Sequence, residues 1–371
     1  MLDTVNDKKL DYIDALRGLA ITGVLFTHIG VNSHLPLFIQ KIIAGGAMGV
    51  QLFFIVSAFT LFLSLDKKIG QEKCLKLNFF LRRFFRIAPM YYLGIIYFLW
   101  QNDFTASLLG DKIIASPTNI LANFLFLHGL SPFWINSLVP GGWTITVEMT
   151  FYCFVPYLFK KIKNAEQAFN FLLISLFIRL FSNFILNKII TIDNAELWKA
   201  YLSSYLLNQL PIFALGIIMY FVIKNNSAKT LFTAKNIFLS AIILMANFLI
   251  LKEFIPEFFL FGIVFLILGV FLNKNRIKTI VNPLFIFMGK ISYSMYLVHF
   301  AVIYWLGRTE IIDHLPVNGI FKYLLRILLL FIATILIAAI SYRFIEKPTQ
   351  KLGKKLIQKI YKHDLKLKSV C

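Results

Sequence analysis

Arg17 and His28 stand eleven residues apart on the apolar segment DYIDALRGLAITGVLFTHIG. Eleven helical steps of about 100° leave an offset of about 20° and a rise of about 16 Å. One stripe of a helix therefore carries a guanidinium low and an imidazole high. In lipid each such group costs a few kcal/mol, so ionisable residues there mark a functional site. The chemistry they offer is proton abstraction by the imidazole, with a fixed cation at hand to stabilise developing negative charge.

Two further ionisable groups sit in distant apolar segments. PGGWTITVEMTFY places Glu148 about 7 Å below the outer boundary of its helix, and ISYSMYLVH places His299 about 13 Å above the inner boundary at Lys290. Tyr296 lies one turn beneath His299 on the same side. His28, Glu148 and His299 thus fall at overlapping depth, where they can converge on one internal cavity. The competing reading is that each merely ties helices together, for about 1 kcal/mol apiece. In NFFLRRFFRIAPMYY, next to Arg82, Arg83 and Arg86 share a helix face at i,i+3 and present forked donors suited to phosphate. An arginine cluster at an inner membrane boundary is also what topology alone demands, so spacing leaves both readings open. GGAMGVQLFFIVSAFTLFLS is rich in small residues that let helices approach closely, and its Ser57 is a candidate for the cavity wall. Arg179 and Arg326 belong to no constellation, and His128 reads as a surface histidine.

These groups need helices to carry them, and the composition supplies helices of one kind. With 58% hydrophobic residues, 16% aromatic residues and a mean hydropathy of +0.74 over 371 residues, the chain has too much apolar surface for a soluble core. It reads as an all-α, polytopic transmembrane bundle. About ten runs are long enough to cross hydrocarbon, near 12–30, 45–64, 84–101, 143–160, 168–187, 204–223, 236–252, 256–272, 284–307 and 322–345. Pro256 leaves 236–272 readable as two spans or one broken hairpin. Most of the 38 Lys and Arg fall in alternate loops and in the tail, which sets both termini on the cytoplasmic side.

The formal net charge of +20 is spread over inner loops and tail, where anionic lipid is the nearer partner, so nucleic acid is not expected. Three cysteines without CxxC spacing indicate neither disulfides nor a zinc site, and no metal is expected. The start runs straight into a full-length span, so no cleavable signal peptide is expected. One membrane domain covers 1–346, and the basic tail 347–371 reads as an amphipathic helix on the inner leaflet. The long outer loop 102–142 contains NILANFLFLHGL, too short to span and suited to a re-entrant or interfacial element.

RGLAITGVLFTH, GVQLFFIVSAF, RRFFRIAPMYY, GGWTITVEMTFY, SYSMYLVH and RFIEKP, in this order, resemble the signature segments of acyltransferase family 3, the bacterial membrane acyltransferases that include O-antigen and exopolysaccharide acetylases. The resemblance covers nearly the whole chain. It implies His28 as the catalytic histidine, Arg17 as essential beside it, and Arg83 with Arg86 as the hold on the acyl donor, acyl-CoA and most commonly acetyl-CoA. Glu148, Tyr296 and His299 match retained positions, and Glu148 or His299 is expected to orient the imidazole or the acceptor. The implied acceptor is a hydroxyl of a cell-surface or lipid-linked glycan at the bacterial inner membrane. Trp134 and Trp143 suit stacking on its sugar rings or an interfacial aromatic belt. One departure is Ala58, where the family commonly has glycine. Some members carry a hydrolase-like domain after the membrane part, and none is expected here. Direct transfer and an acyl-histidine intermediate both stay open. The competing class is a glycan transporter or flippase, which also needs a polar midplane cavity.

Overall fold

The computed structural model describes residues 10–30, 36–108, 111–190, 192–225, 257–309, 314 and 319–368. Its architecture is that of a helical membrane protein. The first five helices are α1 (Asp11–Gly30), α2 (Leu37–Gly45), α3 (Gly49–Lys68), α4 (Leu75–Gln101) and α5 (Pro117–Phe124). There follow α6 (Trp143–Lys161), α7 (Ala165–Ile189), α8 (Ala195–Ser204), α9 (Leu206–Lys224) and α10 (Glu257–Lys274). The series closes with α11 (Pro283–Lys290), α12 (Ser292–Arg308), α13 (Gly319–Ser341) and α14 (Lys347–Lys368), the last two joined through a π-helical turn, Tyr342–Glu346. The span read at 236–252 lies outside the described residues.

Among the described residues, four helical stretches are long and apolar enough to cross a membrane: Phe38–Lys68, Ala165–Ile189, Ala195–Lys224 and Gly319–Ile360. Helices α1, α4 and α6 are not among them, and these are the helices bearing Arg17, the arginine cluster and Glu148. Charged side chains that build a site lower the apolarity by which a span is recognised. At the centre lies α9, buried continuously from Asn208 to Val222, as expected of a helix that is apolar all round. Its Phe213 stacks at 3.9 Å on Phe151 of α6 and packs at 4.7 Å against Phe54 of α3, locking three helices together.

The span expected as one helix over 284–307 is two. Helix α11 is capped by Asn282, whose side chain accepts from the Phe285 amide, and begins with Pro283; it then turns by 80° into α12. No proline or glycine occupies the break at Ile291. What holds α11 across the bundle is its contact with α1. A Cβ on Gly289 would lie 1.8 Å from the Asp14 carbonyl oxygen, and one on Gly18 would lie 2.1 Å from that of Phe285. Backbone meets backbone at both points, an approach that only glycine permits. This contact fixes the height and rotation of α1, and with them Arg17.

In the loop 102–142, expected from the sequence to be the outer loop, Thr105–Leu108 and Asp111–Ile114 form an antiparallel hairpin pairing Thr105 with Ile114, and α5 follows. These strands were not expected from the sequence pattern, which is short and mixed there.

Gly289→Ala places a methyl group against an immovable carbonyl, whereas Gly94→Ala meets nothing within 4 Å. The first substitution should destabilise by about 1–3 kcal/mol or prevent folding, read as a lowered Tm or loss of a monodisperse peak in detergent. Gly94→Ala should leave both unchanged, and equal behaviour of the two variants would contradict the packing account.

Candidate active site

A small cavity sits inside the bundle, lined by Arg17 of α1, Ser57 of α3, Arg86 of α4, Thr144 and Glu148 of α6, and Tyr296 of α12. Its volume of about 70 Å³ equals the liquid share of about two waters.

The charged groups here are held by polar and aromatic neighbours from several helices. Arg17 donates through Nη1 to Asp14 Oδ1 at 3.1 Å, one turn down its own helix, and through Nη2 to Thr60 Oγ1 of α3 at 3.2 Å. Glu148 accepts from Ser57 Oγ and, at 2.5 Å, from the Tyr152 hydroxyl. Arg83 lies over the rings of Phe79 and Tyr152 at 5.7 and 5.9 Å. Arg86 faces Tyr152, Glu148, Glu346 and Asp14, and makes no hydrogen bond among the described residues. Arg82 turns away to the inner loop, where Glu72 takes it at 2.9 Å and Lys68 at 2.8 Å. The result is three arginines set against three carboxylates in an interior where an unpaired charge is prohibitive.

Glu346 is a member that the sequence reading did not single out. It is only 3% exposed and accepts from Ser294 Oγ, itself fully buried at the start of α12. The π-helical turn carries it there, since the extra residue per turn rotates the helix ahead of it, and such turns recur at functional sites. An acid closing a long apolar run, in RFIEKP, is the signal by which it could have been found.

Above the cavity the grouping differs from the expectation of one common pocket. His28 and His299 lie side by side, ring centroids 5.2 Å apart, with Phe300 at 4.6 Å from His28 and 4.0 Å from His299. Neither histidine lines the arginine cavity, which ends at Phe53 and Tyr296. Tyr296 bridges the two levels: it walls the cavity, packs at 6.4 Å on Phe53 and lies 5.6 Å from His299. Glu148 belongs to the lower level, with Arg17 and Arg86. His299 is wholly buried and His28 is exposed.

The roof over Tyr296 comes from the outer loop. The Tyr296 hydroxyl donates to the Gly141 carbonyl at 3.1 Å. Gly141 has φ +72°, and a Cβ there would lie 2.6 Å from that hydroxyl, so both conformation and space require glycine. The Gly141 amide donates to Asn136, and His128 Nε2 donates to the Gly142 carbonyl at 3.1 Å while touching the Tyr91 hydroxyl at the same distance. Phe126, at φ +60°, is held by stacking on Tyr91 and by Thr146 Oγ1 donating to its carbonyl at 2.7 Å; such strained non-glycine residues cluster at functional sites. His128, expected at the surface, is fully buried in this network, because the loop folds inward over α4 and α6. Trp143 packs edge-on against Phe54 at 6.0 Å. Arg179 donates to Asn208 at 2.7 Å, tying α7 to α9 away from the site. Among the described residues no cluster of three or more His, Cys, Asp or Glu could hold a metal.

The family model for an acyltransferase domain, acyltransferase 3, matches residues 10–343. A provisionally named O-acetyltransferase of Staphylococcus aureus strain COL is 28% identical over 386 aligned positions, covering 94% of this chain and 59% of that protein. O-acetyltransferase OatA of S. aureus strain NCTC 8325 is 26% identical, covering 92% of this chain and 57% of OatA. The chain thus spans under two thirds of the length of these relatives. No solved structure matches it.

Burial pushes the His128 imidazole down to about 4, whereas an unfolded chain titrates near 6.5. As pH falls the unfolded state takes the proton first, so stability is complete above about pH 6.5 and is lost toward pH 4, by at most about 3 kcal/mol. The Tm in detergent should fall across that window. His128→Gln retains a donor for Gly142 but cannot titrate, so it should flatten the slope; an unaltered slope would remove His128 as its source.

Proposed function

Since the chain belongs to the acyltransferase 3 family, we propose that it moves an acetyl group from cytosolic acetyl-CoA to a hydroxyl of a glycan on the far side of a bacterial inner membrane. The proposal includes ten spans with both termini cytoplasmic, a transferase unit over 1–346, and α14 lying on the inner leaflet. In support of the last point, α14 carries lysines on one side and the exposed Leu352 and Leu356 on the other.

The observation carrying this reading is the stacking of two levels on one helix. Arg17 stands in a cavity of balanced charge, and His28, near the outer end of the same helix, stands in a histidine pair. The donor enters from the inner side. Arg86, with Arg83 beside it, takes the anionic or carbonyl oxygens of the donor, and the thioester reaches upward past Arg17 toward Tyr296. Residues 53 and 296 must part to admit it. His28 then takes the proton of the acceptor hydroxyl as that oxygen bonds to the thioester carbon. The tetrahedral adduct collapses with cleavage of the C–S bond, and the coenzyme thiolate leaves, receiving the proton from His28. Arg17, about 16 Å below His28 on the same helix, sets its charge against the donor arm, and Glu148, held by Ser57 and Tyr152, lines the same cavity. Trp134 and Trp143 offer faces for the acceptor at the outer mouth.

A transporter reading would rest on the bent pair α11–α12, since broken helices line many transport sites. The two readings separate in proteoliposomes loaded with radiolabelled acetyl-CoA on one side and supplied with neutral and N-acetylated oligosaccharides on the other. Label should appear on an oligosaccharide; movement of unmodified glycan without label would favour transport. His28→Ala should lower transfer by about 10²–10⁴-fold, and a folded variant transferring at the native rate would exclude His28 as base. Arg17→Lys, a compact cation that cannot hold Asp14 and Thr60 together as the fork does, should lower kcat by about tenfold or more, with transfer unchanged as the contrary result.

A further inference from the structure

His299 holds a buried nitrogen whose lone pair finds no hydrogen-bond partner among the described residues. The side chain is 0% exposed, its Nδ1–H donates to the Tyr296 carbonyl at 2.7 Å, and its Nε2 has no hydrogen-bond partner. The bond at Nδ1 fixes the tautomer of the neutral ring, so Nε2 is an acceptor. Native interiors rarely leave such an atom unsatisfied unless it serves a function.

The groups around it narrow the choice of donor. Phe300, at 4.0 Å between centroids, has no polar hydrogen, and the Tyr296 hydroxyl is committed to Gly141. Glu148, the other group expected to orient the base, is occupied by Ser57 and Tyr152 at the lower level. Of the rings packed on His299 among the described residues, His28 is the one with an N–H to offer. Two imidazoles joined nitrogen to nitrogen at about 2.9 Å have centroids about 5 Å apart, and these two stand at 5.2 Å, tilted by 42°. Rotation of the exposed His28 ring, near the last turn of α1, closes the contact.

We propose that His299 is a positioning residue whose Nε2 accepts the N–H of His28, leaving the other nitrogen of His28 as the lone pair that meets the acceptor hydroxyl. The inference rests on His28 being the base. It makes the base a pair: His299 is anchored by the backbone of α12, and α12 is in turn anchored through Tyr296 to the outer loop. A free His28 would divide its time between tautomers and orientations; a held one presents its lone pair in one direction.

The test uses the full chain in the proteoliposome assay with acetyl-CoA and the oligosaccharide panel, comparing His299→Ala, His299→Gln and His299→Asn. Glutamine can set its amide oxygen where Nε2 stands, whereas asparagine can set its amide N–H where Nδ1 stands, still bonding the Tyr296 carbonyl. His299→Ala and His299→Asn should lower kcat by about 10²-fold, with KM for acetyl-CoA within about twofold because His299 does not line the donor cavity. His299→Gln should recover to within about fivefold of the native kcat. Recovery by asparagine instead would assign His299 a purely structural tie to Tyr296 and overturn the proposal. Three inactive variants matching His28→Ala would make His299 itself the proton acceptor, also overturning it, as would three fully active ones. A monodisperse size-exclusion peak for each variant excludes misfolding. Failure of the base assignment is distinguishable, because His28→Ala would then be active whatever the His299 series does.

Discussion

Asp14, Glu148 and Glu346 share the interior with Arg17, Arg83 and Arg86, and within an apolar bundle such groups are tolerated only with polar or charged partners. That constraint organises the protein. It explains why Arg17 is tied to both Asp14 and Thr60, why Glu148 takes two hydroxyl donors, and why a π-helical turn brings an acid inward at the end of α13. Removing one member would leave its partner buried and uncompensated, so the helices that bring these residues together are held by more than apolar contact.

Helix geometry delivers the charges. The backbone contacts of Gly18 and Gly289 fix α1 against α11, and the 80° turn from α11 into α12 sends α12 upward beside α1. One helix thereby carries Ser294 next to Glu346 at its base, Tyr296 on the cavity wall and His299 beside His28. The outer loop completes the arrangement by presenting the Gly141 carbonyl to Tyr296, with His128, Asn136 and the strained Phe126 bracing that turn. In this roof His128, Asn136 and Tyr296 each bond to the backbone of Gly141 or Gly142, which pins the turn.

The membrane class, the stripe of Arg17 and His28, the face shared by Arg83 and Arg86, and the small-residue character of the second apolar run were all legible in the chain. They depend on composition and on the 3.6-residue period, both local properties. Residue spacing along one helix sets relative height only within that helix, and the expectation that His28, Glu148 and His299 share one depth needed the heights of three helices relative to one another. Glu148 instead joins Arg17 and Arg86 at the lower level while His299 joins His28 above, a division that no spacing argument contains.

Sequence by itself determined which residues are ionisable in apolar surroundings, and therefore that this chain holds a polar site inside a bundle of helices. Tertiary structure alone decided the break at Ile291, where no proline or glycine interrupts the helix, the inward turn of Glu346, and the burial of His128 under a loop that reads as surface. In each case the deciding force acts between segments far apart in the chain: a backbone contact across α1 and α11, a register change that satisfies a distant charge, and a hydrogen-bonded roof closing on a tyrosine from another helix. Such forces depend on which surfaces meet, and a linear pattern records only what each surface has to offer.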